Sequence, residues 1–255
     1  MELPVNRLKA ALQAGEVQRG IWLSSGAAYN AEVAGHVGFD WCLIDCEHAP
    51  NAVPQALDQV RALATTPTQI AMRVTSTEDW MIKQALDMGV QTIVVPMVDD
   101  AETAARMARA MRYPPDGTRG MGAAMARASG FGAIPHYTRD ANAEVMLFVQ
   151  AESAVALANI DAIAAVDGVD GVFIGPADLS ANMGHVGNPG HPEVQAAIAH
   201  IITRTVAAGK VAGILSFDAQ RNAAYVAMGL RFLGIGGDVD VLNKALKALL
   251  AASRG

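Results

Sequence analysis

The stretch Met146-Leu-Phe-Val-Gln-Ala-Glu152 is apolar for four residues and then ends in an amide and a carboxylate. Residues two apart on a strand share a face, so Gln150 and Glu152 are predicted to point the same way at the strand's end. A second stretch, Gly171-Val-Phe-Ile-Gly-Pro-Ala-Asp178, repeats this design. If the two strands are neighbours in a parallel sheet, about 4.8 Å apart, Glu152 and Asp178 converge on one divalent cation.

The same pattern recurs along the chain and predicts the fold. Short, nearly unbroken apolar runs, typical of parallel strands covered on both faces, predict strands at 21–25, 41–47, 69–74, 92–97, 146–152, 171–176, 211–216 and 232–237. Helical spacing predicts helices at 6–15, 28–38, 53–64, 77–88, 99–112, 153–164, 192–208, 218–228 and 238–252. Strict alternation favours a closed (β/α)8 TIM barrel, a single domain over 1–255 with an N-terminal helix, and a doubly wound sheet is the alternative.

The regular spacing is interrupted once, between predicted strands four and five. Residues 113–143 are rich in glycine and proline and predict a long loop, with a short helix near 123–128. Loops of this length in compact domains are usually functional, and recognition of a second substrate is expected here.

Composition narrows the class of protein. The chain has 255 residues, of which 52% are hydrophobic and 17% charged, so it can bury a large core. A net charge of −6 without a basic run argues against a nucleic-acid partner. No apolar stretch reaches membrane length and the N-terminus lacks signal-peptide character, so a soluble cytoplasmic protein without a membrane partner is expected. Cys42 and Cys46, about 13 Å apart on one strand, are predicted to be buried thiols rather than a disulfide.

Polar residues cluster at one end of the predicted strands. These residues are Ser24, Ser25, Asp45, Glu47, His48, Arg73, Gln150, Glu152 and Asp178. Chance would scatter them over both ends, whereas chemistry in (β/α)8 barrels lies at the C-terminal ends of the strands. This clustering predicts an enzyme.

Two of these side chains suggest specific roles. His48 follows two carboxylates and precedes a proline turn, and histidine suits a general base near neutral pH. A hydrogen-bonded structural role is the alternative. Arg73 ends an apolar strand, where its planar fork is expected to clamp a substrate carboxylate or to pair with Asp45.

The lysines argue against Schiff-base chemistry, which needs an amine inside the barrel. Lys9, Lys83, Lys210, Lys244 and Lys247 fall in predicted helices or, for Lys210, at the opposite end of a strand. An enolate formed in this site would therefore need a metal ion to stabilise it. The main-chain N–H groups of 175–184 suit a compact anion such as a carboxylate.

Long motifs resemble those of the HpcH/HpaI aldolase family. They are Ile44-Asp-Cys-Glu-His-Ala-Pro50, the strand end at Arg73, Val95-Pro-Met97, Arg112-Tyr-Pro-Pro-Asp-Gly-Thr-Arg-Gly120, Val149-Gln-Ala-Glu152 and Gly171-Val-Phe-Ile-Gly-Pro-Ala-Asp-Leu-Ser180. The resemblance covers nearly the whole chain. Cys46 departs from the glycine expected in the family, but a small side chain still fits there.

The resemblance implies roles for individual residues. Glu152 and Asp178 would hold a divalent metal, Mg²⁺, Mn²⁺ or Co²⁺, and Gln150 with the main chain at Ala177 and Asp178 would contact a 2-oxo acid. Arg73 would stabilise oxyanion charge, and His48 would be the base.

Asp87 would raise the basicity of His48 from a neighbouring subunit, although the sequence alone predicts only a solvated helix acid there. That role requires a homo-oligomer, in this family typically a hexamer.

The implied activity is that of a class II aldolase, a carbon–carbon lyase. It would cleave and form 4-hydroxy-2-oxo acids from pyruvate or hydroxypyruvate and an aldehyde, through a metal-stabilised enolate. A related barrel lyase acting on another 2-oxo acid or an acyl-CoA ester is one alternative, although no basic patch for nucleotide phosphates is visible. A non-catalytic binder of small acids is the other.

Overall fold

Strands and helices alternate through the computed structural model, which describes residues 1–254. Within that range the strands are β1 Gln18–Leu23, β2 Trp41–Asp45, β3 Gln69–Arg73, β4 Thr92–Val95, β5 Met146–Ala151, β6 Gly171–Ile174, β7 Val211–Leu215 and β8 Phe232–Gly237. All neighbouring pairs are parallel, and β1 pairs with both β2 and β8, so the sheet closes on itself. The predicted (β/α)8 barrel is confirmed, and the doubly wound alternative is wrong.

The helices follow the predicted order, except that a short unpredicted helix lies at 137–140 in the long loop and three further differences occur. Over residues 1–254 the helices are α1 Arg7–Gln13, α2 Ala28–Val37, α3 Val53–Leu63, α4 Asp79–Asp87, α5 Ala101–Ala110, α6 Tyr137–Asp140, α7 Ala154–Ala158, α8 Ile160–Ala164, α9 Pro176–Asn182, α10 Pro192–Ala207, α11 Ala219–Ala227 and α12 Asp238–Ala252. Short 3₁₀ turns occupy Arg127–Ser129 and Ala141–Ala143.

Each of the three further differences has a local physical cause. The helix predicted at 153–164 is split into two at Asn159. The Asn159 side-chain amide donates a hydrogen bond to the Asp99 carbonyl at 2.8 Å, a contact outside the helix that competes with regular helical structure. The short helix predicted near 123–128 is displaced: 123–125 form a turn, because the glycines on both sides favour irregular backbone, and a 3₁₀ helix follows at Arg127–Ser129. The unpredicted α9 begins at Pro176, whose fixed φ suits a first helical turn.

Two apolar layers position the strand ends. Inside the barrel, aromatic rings from five strands pack against one another, with the Trp41 and Phe232 centroids 4.2 Å apart. Leu8 and Leu12 of α1 close this interior from the N-terminal end. Gly20 is required opposite Trp41, because a Cβ there would lie 2.0 Å from the indole. The second layer packs the helices against the outside of the barrel.

No helix among residues 1–254 is long and apolar enough to cross a membrane. Cys42 and Cys46 are both free thiols, and burial raises the pKa of each to about 12.

Candidate active site

A cavity of about 480 Å³ lies at the C-terminal ends of the strands. Its walls include five of the predicted site residues, His48, Arg73, Gln150, Ala177 and Asp178. The cavity therefore lies where the polar strand ends predict it, and the closed sheet brings together residues more than 100 positions apart in the chain.

Arg73 is held by two acids from the neighbouring strand end. Its Nε and Nη2 donate to the two carboxylate oxygens of Asp45 at 2.8 and 2.7 Å, and its Nη1 lies 2.9 Å from Glu47. Burial opposes protonation, but the hydrogen bonds and charge of Asp45 outweigh it and raise the pKa of Arg73. Arg73 also lines the cavity, so pairing with Asp45 leaves it exposed to the cavity, and its role toward a substrate remains a prediction.

Glu152 lies just beneath the cavity wall and is nearly fully buried. Its Oε1 accepts from the Met97 amide at 2.8 Å, and its Oε2 accepts from Gln150 Nε2 at 2.6 Å. Gln150 and Glu152 thus share a face, as the strand periodicity predicts. Burial raises the pKa of Glu152 to about 7, and the charges of Asp178 and Glu47 add to this rise.

Gly175 sets the distance between Glu152 and the next strand. It follows β6 directly, and a Cβ at this position would lie 2.3 Å from Glu152 Oε2. The absence of a side chain therefore lets the carboxylate reach the space between β5 and β6. Asp178 reaches the same region from the first turn of α9, not from the strand itself.

The donor set fits a hard divalent cation. Three carboxylates, Glu47, Glu152 and Asp178, act on one another electrostatically, and repulsion of buried Glu152 by the other two acids favours a bound positive charge. Each Glu152 oxygen accepts one hydrogen bond and keeps a lone pair for a further ligand. Glu152 and Asp178 could hold such an ion between them.

His48 lies on the loop after β2, largely exposed at the cavity rim. Its Nε2 is 3.8 Å from Glu47 Oε2. The loop is anchored by Asn51, whose side-chain amide donates to the Asp45 carbonyl at 2.6 Å and accepts from Gln59 at 2.6 Å. This buried anchor fixes the backbone on both sides of His48.

Asp87 is the one predicted site residue that this chain does not bring to the cavity. It ends α4, and its carboxylate pairs with Arg119 of the long loop at 2.7 Å. A role at His48 would need a second subunit, so its predicted role remains a prediction.

The position of the 113–143 loop differs from the expectation that this loop recognises a second substrate. Among residues 1–254, none from 113–143 lines the cavity of its own chain. The far wall is instead formed by the segment after β7 and by α11, including Phe217, Asp218, Arg221 and Tyr225. Sequence reasoning missed Arg221 because it reads as an ordinary solvated residue in the first turn of a helix.

No lysine lines the cavity among the described residues, which agrees with the sequence argument against a Schiff base. Lys210 instead donates to the Val169 carbonyl at 2.7 Å, before the start of β7.

Comparison with known proteins assigns the architecture to a family. The family model described as HpcH/HpaI aldolase/citrate lyase matches residues 18–245. The chain belongs to this family. The HpcH/HpaI resemblance seen in the sequence motifs is therefore confirmed, and so is the prediction of a carbon–carbon lyase.

Individual HpcH/HpaI relatives match over nearly their full length. A hydroxypyruvate/pyruvate aldolase of Agrobacterium fabrum is 52% identical over 255 residues, covering 100% of this chain and 96% of the relative. A 4-hydroxy-2-oxo-heptane-1,7-dioate aldolase of Klebsiella pneumoniae is 50% identical, covering 96% and 93%. The crystal structure of a family protein from Burkholderia cenocepacia aligns with a TM-score of 0.95 at 38% identity, covering 98% and 100%.

Proposed function

We propose that the chain is a divalent-metal-dependent aldolase. It cleaves 4-hydroxy-2-oxo acids to pyruvate or hydroxypyruvate and an aldehyde, and it catalyses the reverse addition. The relatives named hydroxypyruvate/pyruvate aldolase and 4-hydroxy-2-oxo-heptane-1,7-dioate aldolase support this substrate class.

The observation that carries the proposal is buried Glu152 with two further acids, Glu47 and Asp178, beside one guanidinium. Arg73 already forms ion pairs with Asp45 and Glu47, so Glu152 and Asp178 are available to bind a further cation together. When bound, a divalent ion would polarise the 2-oxo group and stabilise negative charge that develops on it. Mg²⁺, Mn²⁺ and Co²⁺ all suit carboxylate oxygens, and the donor set does not select among them.

The chain's own residues would bind the 2-oxo acid and move the proton. Arg73 presents a positive charge to the cavity, locked in place by Asp45, so it is preorganised for oxyanion charge. Gln150 and the main chain at Ala177 would orient the carboxylate end. His48, on an anchored loop at the rim, would accept the proton of the substrate hydroxyl during cleavage.

Assembly into a homo-oligomer is part of the proposal. Apolar side chains of α12 are exposed in the single chain, with Leu246 at 55% and Leu249 at 69%, and α12 buries no residue within the described range. An apolar face of this kind favours a subunit contact. A neighbouring subunit could also present Asp87 to His48. Light scattering with size-exclusion chromatography measures the subunit number, and a monomer would exclude the proposed role of Asp87.

The activity is tested by measuring pyruvate release from a 4-hydroxy-2-oxo acid, coupled to NADH oxidation by lactate dehydrogenase. We expect release with Mg²⁺, Mn²⁺ or Co²⁺ and its loss in EDTA. Glu152→Gln should lower the rate on the order of 10²-fold or more, because a neutral amide replaces a charged ligand. Glu102→Gln, an exposed change on α5, is the matched control. Full turnover in EDTA, or full activity of Glu152→Gln, would reject the mechanism.

A further inference from the structure

The far wall of the cavity carries polar residues that the proposed chemistry does not use. Asp218 and Arg221 belong to this far wall, whereas His48, Arg73 and Asp178 belong to the proposed metal-binding part. In an aldol addition the 2-oxo acid occupies the metal-binding part. The aldehyde must therefore occupy the rest of the cavity, which includes the far wall. This inference rests on the proposed function.

Arg221 is the basic residue on the far wall. Its Nε lies 3.3 Å from Asp218 Oδ2, while Asp218 Oδ1 accepts from the main-chain amides of Gln220 and Arg221 at the start of α11. Lys244, near Phe217, is already paired with Asp240 at 2.7 Å and does not line the cavity. Arg221 is thus the positive charge that an aldehyde would meet.

The Arg221 guanidinium packs against a neighbouring loop, and two of its nitrogens remain available to bind a ligand. Its Nη2 and Nη1 lie 2.7 and 3.1 Å from where a Cβ on Gly190 would stand, so this glycine lets the fork pack closely against the loop. Within residues 1–254, no acceptor takes a hydrogen bond from Nη1 or Nη2. A planar fork with two unused donor nitrogens matches a carboxylate or a phosphate.

A purely structural role does not explain the position of Arg221 as well as a ligand-binding role does. Its pair with Asp218 is a half-exposed i, i+3 contact, which contributes little to stability. That pair uses Nε alone and gives no reason for Arg221 to line a cavity shared with His48 and Arg73.

We propose that Arg221 is a specificity-determining residue that binds an anionic group at the distal end of the acceptor aldehyde. The shared chemistry is a carboxylate or phosphate on a short chain, with the aldehyde carbon directed toward the metal-binding part. Arg221 acts on binding of the acceptor and takes no part in proton removal from the 2-oxo acid.

The test compares charged and neutral acceptors of matched length with pyruvate as donor. One pair is 4-oxobutanoate and butanal, and the other is glyceraldehyde 3-phosphate and glyceraldehyde. The readout is the ratio of kcat/KM for the charged over the neutral member. The variants are Arg221→Met, Arg221→Lys and the control Arg204→Met. The control removes an exposed arginine of α10, which pairs with Asp161 of α8 and does not line the cavity.

We expect Arg221→Met to lower this ratio about tenfold or more for at least one pair, chiefly through KM, because a charge-assisted hydrogen bond is lost. Arg221→Lys should recover part of the ratio, and Arg204→Met should leave it unchanged. The aldehyde pair whose ratio falls more in Arg221→Met shows whether Arg221 prefers a carboxylate or a phosphate.

A second measurement separates this inference from the proposed function. Exchange of the pyruvate C3 protons with deuterium, followed by NMR without any aldehyde, reports enolate formation alone. If the wild-type protein exchanges these protons but Arg221→Met leaves the acceptor ratio unchanged, the inference about Arg221 is overturned. If the wild-type protein with Mn²⁺ shows no exchange, the proposed function falls, and the inference falls with it.

Discussion

Replacing Gly175 by alanine should disable the site while leaving the barrel folded. An added Cβ would lie 2.3 Å from Glu152 Oε2 and 3.1 Å from Glu152 Cβ. An ordinary contact needs about 3.4 Å, so the carboxylate must move by about 1 Å. That movement would also strain the hydrogen bond from Gln150, which is 2.6 Å long.

The expected effect on catalysis follows from this displacement. A misplacement of about 1 Å in a catalytic arrangement costs on the order of 10²-fold in rate, or about 2.7 kcal/mol of activation free energy. Overpacking by one methyl group costs about 1–3 kcal/mol of stability, which a barrel of this size can tolerate. We therefore expect a folded protein with kcat/KM lowered about 100-fold and a higher metal concentration for half-maximal activity.

The assay is the coupled pyruvate-release reaction, run as a titration with Mn²⁺ for wild type and variant. Gly236→Ala is the matched control, because its added Cβ would meet only Val241 at 3.9 Å. Thermal unfolding confirms that both variants are folded. If Gly175→Ala kept its activity and its metal requirement within threefold of wild type, the close approach of Gly175 would not govern Glu152, and the argument for a site between β5 and β6 would fail.

Three further predictions concern the arginine clamp, a buried hydroxyl and the metal. Arg73→Lys should reduce the free energy of unfolding by about 1–3 kcal/mol, measured in urea, because lysine cannot serve both oxygens of buried Asp45 at once; an unchanged value would show that the fork is dispensable. Tyr113→Phe should raise the free energy of unfolding by about 1 kcal/mol, since the Tyr113 hydroxyl is buried without a hydrogen-bond partner among residues 1–254. A lower free energy of unfolding would show that the hydroxyl does form a hydrogen bond. Mn²⁺ at 100 times its Kd should stabilise the wild-type protein by about 2.7 kcal/mol in thermal melts and EDTA should reverse this, whereas Glu152→Gln should show no such shift.

Much of the site could be predicted because strand periodicity and barrel topology act together. Once Gln150 and Glu152 share a strand face, and β5 and β6 are neighbours, their position near the end of β6 follows from sheet geometry, whereas Asp178 comes from the first turn of α9. The position of Arg73 beside Asp45 follows in the same way from the pairing of β2 with β3. These placements depend on short-range rules that a sequence displays directly.

Other features depend on contacts between segments that carry no mark in the sequence. Arg221 reads as a surface residue of α11, and only the position of α11 over the strand ends turns it toward the cavity. The 113–143 loop is predicted from its sequence to recognise a second substrate, yet Arg119 binds it to Asp87 on α4, away from the cavity of its own chain.

By itself, the sequence determined the alternation of strands and helices, the end of the barrel that carries the polar residues and the family. Each of these depends on residue type, on spacing within a single element or on long contiguous motifs. Only the tertiary structure decided that Glu152 lies beneath the cavity wall, that Gly175 governs its reach and that Arg221 forms the far wall. Those facts depend on interatomic distances between elements far apart in the chain, and such distances are set when the barrel closes and its helices pack.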